Sequence, residues 1–409
     1  METNKRDSRF LYPARRGFFI SVAAKRETTY AIEMLRGLFS HIDWVLFWTS
    51  LLLAGAGLVT MYSFAGDNPF FNRQIIWLCI SIFLFFVLST LDFRFLRRTE
   101  VVSGLLLGAI LVLGATLAVG AIFQGAARWL DLGLFAVQPS DPAKVVIIIV
   151  LAKYFSRRHV EIAHIRHILV SGMYVAILAG LVFLQPDFGS AIIIGLLWLG
   201  LVLVSGISKK HLLAVFGIGM CSAMGLWMFV LEDYQKDRIT TFLNPYTDLQ
   251  GAGYNAYQST IAVGSGQLFG KGIGYGTQSK LQFLPEYQTD FIFAAFAEEW
   301  GLVGSTLLLL LYGIVIWRIV AIARLASSNF EMLFASGVAI LFMTHIIIHV
   351  GMNVGVLPVT GTTIPFMSYG GSHLVTEFVA LGILMGMRKY GRVIERHKHG
   401  EDLLVEATP

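Results

Sequence analysis

The sequence predicts an all-α integral membrane protein with ten transmembrane helices and a long extracytoplasmic loop between the seventh and the eighth. Composition is the first reason: 56% of the 409 residues are hydrophobic and 14% are charged, whereas soluble domains carry about 25% charged residues. The mean hydropathy is correspondingly high, at +0.69. The second reason is that runs approaching the roughly 20 apolar residues needed to cross a bilayer occur repeatedly along the chain. The third is an uneven distribution of Lys and Arg.

The predicted spans are separated mostly by short polar turns, which favours one helical bundle over several domains. Two spans are weaker than the others, because the fourth contains Asp141 and Lys144 and the tenth contains Glu377. The ten spans are predicted at 44–65, 74–91, 101–123, 137–156, 167–185, 188–207, 211–231, 291–322, 330–356 and 371–390.

Lys and Arg predict the orientation, since they are enriched in cytoplasmic loops. The side that holds both termini carries 24 of the 31 basic residues, and the other side, with the fourth span included, carries 7. Both termini are therefore predicted to be cytoplasmic, and the loop at 232–290 to face outwards. The chain then divides into a basic cytoplasmic segment at 1–40, a membrane domain at 41–392 and a cytoplasmic tail at 393–409.

The same pattern excludes several function classes. Most basic residues lie at loop ends and not in one patch, so no nucleic-acid partner is predicted. Cys79 and Cys221 both lie in apolar runs and imply no disulfide framework. His345 and His349 have the i, i+4 spacing of metal ligands, but no third ligand is near them in the sequence, so no metal site is predicted.

Carboxylates gather where the eighth span begins, although an ionised carboxylate is costly in hydrocarbon. Glu286 and Asp290 precede the apolar run, and Glu298 and Glu299 lie within it. Asp290 either caps the helix or lies in a water-accessible pocket that carries chemistry. Helical geometry lets only Glu298 share the face of Asp290, whereas Glu299 points the other way and is expected to pair with a neighbouring helix.

Other polar segments belong to the same outer side. The loop at 232–290 is too apolar for a solvated linker, so we expect it to fold back against the bundle and line a cavity. The segment at 353–373 is punctuated by Pro and Gly, which indicates a tight re-entrant connection or a functional loop. A further outer segment, 125–144, carries interfacial side chains. Within the membrane, Lys144 and Glu377 are expected to form a buried pair or to snorkel.

Several long motifs, in the order found here, resemble the SEDS (shape, elongation, division and sporulation) family. They are FLNPYTDLQGAGYNAYQSTIAVGSGQLFGKG, GTQSKLQFLPEYQTDFIFAAFAEEWGLVG, GVLPVTGTTIPFMSYGGS, RWLDLGLFAVQPSDPAK and QPDFGSA, and the resemblance covers residues 40–392. The chain looks more like RodA than FtsW, because Gly361 stands about where FtsW-type sequences usually carry Lys. It departs from the family at Asp141, for the usual Glu of QPSELAK, and at His349, for the frequent Asn of NIGM.

The resemblance implies a peptidoglycan glycosyltransferase of the bacterial cytoplasmic membrane that polymerises lipid II for cell elongation and shape. It also implies partners, namely a class B penicillin-binding protein and other cell-elongation proteins. The motif TDFIFA puts the family's catalytic carboxylate at Asp290. Glycines between 264 and 276 are expected to act as hinges that a partner orders. Two other classes stay open: a lipid II flippase, and a non-catalytic scaffold of a cell-wall synthase complex.

The chemistry of lipid II explains the need for a carboxylate. The sugar leaves an α-linked pyrophosphate and enters a β-1,4 linkage, so one general base acting on the acceptor hydroxyl suffices. Outer cations are candidates for binding the leaving pyrophosphate. A bridging Mg²⁺ or Mn²⁺ ion is compatible with this chemistry, although the sequence shows no dedicated ligand set. The candidate substrate-binding residues are Arg128, Trp129, Lys236, Arg238, Lys271, Lys280, Glu286, Glu298, Ser368 and Tyr369.

Overall fold

The computed structural model describes residues 40–64, 69–119, 121–123, 126–131, 133, 136–157, 165–244, 253–281 and 283–406. The chain divides into an N-terminal segment, 1–42, and a helical unit, 43–409. The basic segment predicted at 1–40 lies almost wholly outside the described residues.

A helix occupies each of the ten predicted spans. The first seven, in chain order, are α1 (Trp44–Tyr62), α2 (Pro69–Thr90), α3 (Thr99–Val119), α4 (Ser140–Ser156), α5 (Ile165–Leu184), α6 (Phe188–Val204) and α7 (Lys209–Phe229). Residues 232–290, which are predicted to face outwards and are called the outer segment below, then contribute three shorter helices, α8 (Asp233–Leu243), α9 (Tyr254–Ser265) and α10 (Thr277–Lys280). The last three long helices are α11 (Ile292–Arg324), α12 (Asn329–Asn353) and α13 (Gly371–Glu406).

Seven of the long helices are apolar and long enough to cross a membrane, namely α1, α2, α3, α5, α7, α11 and α12. Helix α6 is apolar but has 17 residues. Helix α4 also has 17 residues and carries Asp141, Lys144 and Lys153. Helix α13 begins with apolar turns that contain Glu377 and continues into a charged segment. Three of the ten long helices, α4, α6 and α13, are thus not long and apolar enough to count among these seven. Two of them, α4 and α13, are the spans whose charges weakened the prediction.

The prediction of an all-α fold misses a small antiparallel sheet between α3 and α4. Its strands, in spatial order, are β1 (Ala121–Phe123), β2 (Ala126–Asp131) and β3 (Ala136–Val137). In the pairing of β2 with β3, Leu130 lies opposite Val137. Strands this short leave no polar–apolar alternation that could be recognised in the sequence.

Helix α12 forms the centre of the bundle, because it packs against α4, α6 and α11 and most of its residues are buried. Helix α13 packs along α2, and α11 packs against α1. By contrast, none of the residues of α7 is buried. The apolar side chains of α7 are therefore available for contact with lipid.

Helix α11 is interrupted at Gly301, which has a φ of 67°, a value that favours glycine. Backbone of the outer segment fills the interruption: the N–H groups of Leu302 and Val303 donate to Gln267 O and Leu268 O at 2.8 and 3.0 Å. Helix α9 also shares a buried apolar cluster with the start of α11. The outer segment thus folds back on the bundle, as its apolar composition predicts.

Candidate active site

Asp290 lies in a turn immediately before α11. Its N–H donates to Glu286 O at 3.1 Å, and its own carbonyl accepts from Asn353 Nδ2 at 3.0 Å. The helix begins at Ile292 with Phe291 as the N-cap residue, which makes no side-chain cap bond. The capping interpretation is therefore wrong about position, because Asp290 stands one residue before the cap.

Asn353, the last residue of α12, holds this turn in place and is fully buried. Its Oδ1 accepts from the N–H of Ala294 at 3.0 Å, and its carbonyl accepts from Ser259 Oγ at 2.9 Å. One residue thus joins the first turn of α11, helix α9 and the backbone of Asp290. The sequence analysis missed Asn353, because an Asn at the end of an apolar span carries no signal of the partners it meets.

The loop between α12 and α13 covers Asp290 from the other side. Gly361 has a φ of 68°, and a Cβ built on it would stand 3.3 Å from Asp290 Oδ2. Tyr369 donates its N–H to a carbonyl of the Asp290 turn at 2.9 Å, and Ser368 Oγ donates to Thr289 O at 2.8 Å. Ser368 therefore holds the loop against the turn, and Gly361 leaves room for the carboxylate.

An open cavity of about 680 Å³ lies beside Asp290, within the range of ligand-binding pockets. Of the predicted site residues, Asp290, Glu286, Trp129 and Tyr369 belong to its wall. Another part of the wall comes from apolar side chains of α2, among them the exposed Ile76. Carboxylates and lipid-facing apolar groups in one wall suit an amphiphilic ligand.

Two pairs of ionisable side chains, one within α4 and one within α13, form one chain of contacts beside this cavity. Lys144 Nζ lies 3.0 Å from Asp141 Oδ1, and His373 Nδ1 lies 3.4 Å from the same oxygen. On its other side, His373 Nε2 lies 2.8 Å from Glu377 Oε1. Lys144 and Glu377 are both paired in the interior, as expected, but with Asp141 and His373 and not with each other.

His345 and His349 tie α12 to the final outer loop. His345 Nδ1 donates to Thr363 O at 3.0 Å, and His349 Nδ1 donates to Thr362 O at 2.7 Å. A carbonyl oxygen only accepts, so each ring carries a hydrogen on Nδ1. Among the residues that the structure describes, no group of three or more His, Cys, Asp or Glu side chains is placed to hold a metal ion.

Glu298 and Lys271 lie away from the cavity wall and bind each other. Lys271 Nζ lies 2.6 Å from Glu298 Oε1. The N–H groups of Thr277 and Gln278 donate to the same carboxylate at 2.8 and 3.1 Å, and Glu298 has no exposed surface. Glu298 is therefore enclosed by backbone of the outer segment and does not belong to the cavity wall that contains Asp290.

The other predicted cations are also absent from the described part of the cavity wall. Lys280 Nζ donates to a carbonyl of its own loop at 3.2 Å, and Lys236 and Arg238 lie on α8. Arg128 lies in β2, but its side chain is outside the described residues. Instead, Arg73 of α2 belongs to the wall. Its signal in the sequence is a lone cation within an apolar helix, which was not assigned to the site.

Two glycines of the outer segment are needed for close packing. A Cβ at Gly266 would meet Ala297 O at 2.0 Å, and one at Gly270 would meet Glu299 O at 2.0 Å. The carboxylate of Glu299 accepts from the N–H of Gly274 at 3.0 Å and from the side chain of Ser63 at the end of α1, so it pairs with this segment and, as expected, with a neighbouring helix. The expected hinge role does not fit Gly266 and Gly270, since backbone of α11 lies directly against both.

Known proteins resemble this chain over most of its length. Peptidoglycan glycosyltransferase MrdB from Escherichia coli is 39% identical over 287 residues, which cover 70% of this chain and 77% of that protein. Stage V sporulation protein E from Bacillus subtilis is 34% identical over 360 residues, covering 86% of this chain and 98% of that protein.

Solved structures show the same fold. Rod shape determining protein RodA from Thermus thermophilus matches with a TM-score of 0.64 at 29% identity, over 85% of this chain and 96% of that one. A chain of a peptidoglycan synthase complex that coordinates polymerization and crosslinking matches with a TM-score of 0.74 at 29% identity, over 85% of this chain and 98% of that one. The family model described as cell cycle protein matches residues 39–392, and the chain therefore belongs to the FtsW, RodA and SpoVE family.

Proposed function

We propose that this protein is a peptidoglycan glycosyltransferase that polymerises lipid II by inverting transfer on the outer side of the membrane. The observation that carries the proposal is the Asp290 carboxylate, which stands in the wall of an open cavity and in a turn held by Asn353. A general base needs such a fixed carboxylate within reach of its substrate. Family membership and the name of the relative MrdB support the same activity.

In the proposed reaction, Asp290 acts on the acceptor sugar. Its carboxylate accepts the proton of the 4-hydroxyl while that oxygen attacks the anomeric carbon of the donor. The new bond forms on the face opposite the pyrophosphate, and the bond from carbon to pyrophosphate breaks with both electrons leaving on the phosphate oxygen. A single displacement converts the α linkage into a β linkage, so no covalent glycosyl-enzyme intermediate is needed.

We assign the leaving pyrophosphate to the part of the cavity beside Arg73. This side chain is exposed and belongs to the cavity wall, so its guanidinium can bind an anion there. Arg128, in β2, is proposed as a second contact. Lys236 and Arg238 stay candidates only if α8 moves towards the cavity.

A resident metal site is not part of the proposal. Among the described residues, no group of three or more His, Cys, Asp or Glu side chains is placed around one point, so we assign no metal ligands. A Mg²⁺ or Mn²⁺ ion that arrives on the pyrophosphate belongs to the substrate, and no step above depends on it.

We infer ten membrane crossings in the bacterial cytoplasmic membrane, with both termini in the cytoplasm and the cavity open to the outer side. The ten long helices that coincide with the predicted spans support this topology, as does the uneven distribution of Lys and Arg. The charges that weaken α4 and α13 as spans are paired inside the bundle. Buried pairing keeps those charges out of the hydrocarbon.

We propose a role in cell elongation beside a class B penicillin-binding protein and other cell-elongation proteins. The likeness to RodA, and to a chain of a complex that coordinates polymerization and crosslinking, supports this role. The partner's ectodomain is proposed to bear on the outer segment, which contacts the helix that follows Asp290. The purified chain alone is then expected to polymerise slowly and to accelerate when the partner is added.

Detergent-purified protein supplied with lipid II tests the proposed function. Polymer formation identifies the enzyme. Transport of lipid II in sealed vesicles without polymer would identify a flippase instead. If neither activity appears and the protein stimulates an added synthase, it is a scaffold.

A further inference from the structure

A small recess adjoins the cavity. It shares Asp141, Lys144, His345 and His373 with the cavity wall, and Glu377 and Ala380 of α13 are among its other lining residues. The recess measures about 10 Å³, and a single water-sized group needs about 10–15 Å³. The recess therefore accommodates one group of hydroxyl size.

The imidazole of His345 presents a buried acceptor to this region. The residue is 2% exposed, and its Nε2 makes no hydrogen bond to any described residue. Its Nδ1 donates to Thr363 O at 3.0 Å, which leaves the lone pair of the neutral ring on Nε2. A buried acceptor without a donor is costly. His349 Nε2 also lacks a described partner, but of the two residues only His345 borders the cavity and the recess. A donor from outside the protein can therefore reach His345 and not His349.

Lys144 provides hydrogen-bond donors in the same recess, whereas His345 provides an acceptor. An ammonium group has three N–H donors, and the hydrogen bond to Asp141 Oδ1 at 3.0 Å uses one of them. The Lys144 side chain is 4% exposed, so bulk water does not satisfy the others. A group that enters the recess thus meets a lone pair from His345 and N–H donors from Lys144.

We propose that the recess binds one sugar hydroxyl, which accepts a hydrogen bond from Lys144 and donates one to His345 Nε2. A hydroxyl can do both and has the size of the recess. An ionised phosphate has no hydrogen to donate to His345, and its oxygens need more room. The inference rests on the proposed function, since the sugar is that of lipid II. It orients the substrate with a sugar towards Lys144 and the pyrophosphate towards Arg73.

The test compares two ligands of the full-length protein, lipid II and undecaprenyl pyrophosphate, which has the same lipid and pyrophosphate but no sugar. In His345→Leu the affinity for lipid II is expected to fall about tenfold, which corresponds to about 1.4 kcal/mol. The affinity for undecaprenyl pyrophosphate is expected to stay unchanged. Ala380→Val fills the recess and leaves both polar groups in place, so the same selective loss is expected. This second variant decides the matter if His345→Leu does not fold.

His349→Leu is the matched control. His349 lies one turn along α12, is fully buried and makes the same kind of bond, to Thr362 O. The walls of the cavity and the recess do not include it, so both affinities should be retained.

Three outcomes overturn the proposal: equal losses for both ligands, an equal loss of lipid II affinity in His349→Leu, or no loss in His345→Leu and Ala380→Val. If the losses are selective but the wild-type protein forms no polymer, the recess assignment stands and the proposed function fails.

Discussion

Asp290 depends for its position on residues that are distant in the sequence. Its carbonyl is held by Asn353, and the turn around it is held by Ser368. Gly361 lies so close that a methyl group there would contact the carboxylate. At the scale of single residues, the proposed base is therefore held by the end of α12 and by the loop between α12 and α13.

Asp290→Asn is expected to reduce lipid II polymerisation by about 10²–10⁴-fold, the usual contribution of a general base. The Asn side chain keeps the shape of Asp but cannot accept the hydroxyl proton. The initial rate of polymer formation measures the effect, with thermal unfolding in detergent as the control for folding. A near-normal rate would leave Asp290 with a structural role only.

Arg73→Gln and Lys271→Gln should separate a substrate contact from a structural ion pair. For Arg73→Gln, kcat/KM for lipid II is expected to fall about ten- to a hundredfold, as for a lost charge-assisted hydrogen bond, with stability retained. Lys271→Gln should retain kcat/KM and lower thermal stability, because the buried Glu298 loses its counter-charge. The opposite pattern would assign Lys271 to the pyrophosphate and exclude Arg73.

At the scale of elements, the outer segment packs directly against α11 and hydrogen-bonds with it. It accepts the hydrogen bonds of Leu302 and Val303 at the break, and it encloses Glu298. This close approach of the two backbones requires a glycine at Gly301, since a Cβ there would stand 2.2 Å from Gly270 N. The break in α11 is thus where the outer segment attaches to the bundle.

Gly301→Ala is expected to lower the free energy of unfolding by about 2 kcal/mol or more, because it combines a positive φ with a steric clash. Gly313→Ala, in the same helix, is the matched control, since no heavy atom lies within 4 Å of a Cβ there. Ala favours a helix over Gly by about 0.5–1 kcal/mol, so this variant should be slightly stabilised. Thermal unfolding in detergent measures both, and equal effects would contradict the packing role of Gly301.

Asp43, just before α1, connects three helices. It accepts hydrogen bonds from Arg318 Nε of α11 at 3.1 Å and from Arg388 Nη1 of α13 at 3.2 Å. Burial by itself raises the pKa of Asp43, but the hydrogen bonds from Arg318 and from the Leu46 N–H outweigh it. The pKa therefore lies below the ordinary value of 3.8.

A carboxyl whose pKa is lower in the folded than in the unfolded protein stabilises the fold above its unfolded pKa. That contribution is lost as the pH falls through the folded pKa. Asp43→Asn should therefore be less stable than the wild-type protein at pH 7, and the difference should shrink below about pH 4. Thermal unfolding of both proteins between about pH 7 and pH 3 measures it. A constant difference would mean that the charge of Asp43 does not contribute.

At the scale of the whole molecule, the charged side chains of the long helices and the apolar side chains occupy different places. The charged side chains of Asp141, Lys144, His373 and Glu377 are buried in pairs in α4 and α13, while no residue of α7 is buried. Such a molecule can cross the membrane many times without exposing a charge to hydrocarbon.

Single cysteines should report the proposed topology. In a protein that lacks Cys79 and Cys221, Phe283→Cys probes the outer segment and Ser327→Cys probes the turn between α11 and α12; both positions are exposed. A membrane-impermeant maleimide is expected to label Phe283→Cys in intact spheroplasts and Ser327→Cys only after lysis. Labelling in the reverse order would invert the topology and put Asp290 in the cytoplasm.

The sequence by itself determined the helical class of the protein, the approximate limits of its ten long helices and its family. A segment that crosses hydrocarbon needs a long apolar run whose backbone hydrogen bonds are made within the segment. Such a run can be recognised directly in the sequence. The position of Asp290 just before the eighth long helix was also predictable, because its motif is contiguous, whereas its catalytic role stays a prediction. The family membership inferred from these motifs is confirmed by the match over residues 39–392.

Only the tertiary structure decided which partner each polar group meets. Lys271 pairs with Glu298, His373 of α13 contacts Asp141 of α4, and Arg73 joins the cavity wall. The spacing of residues along the chain carries no information on such contacts when the partners come from different helices. Asn353 could not be predicted for the same reason, because its role is to hydrogen-bond with groups of α9, of α11 and of the turn at Asp290.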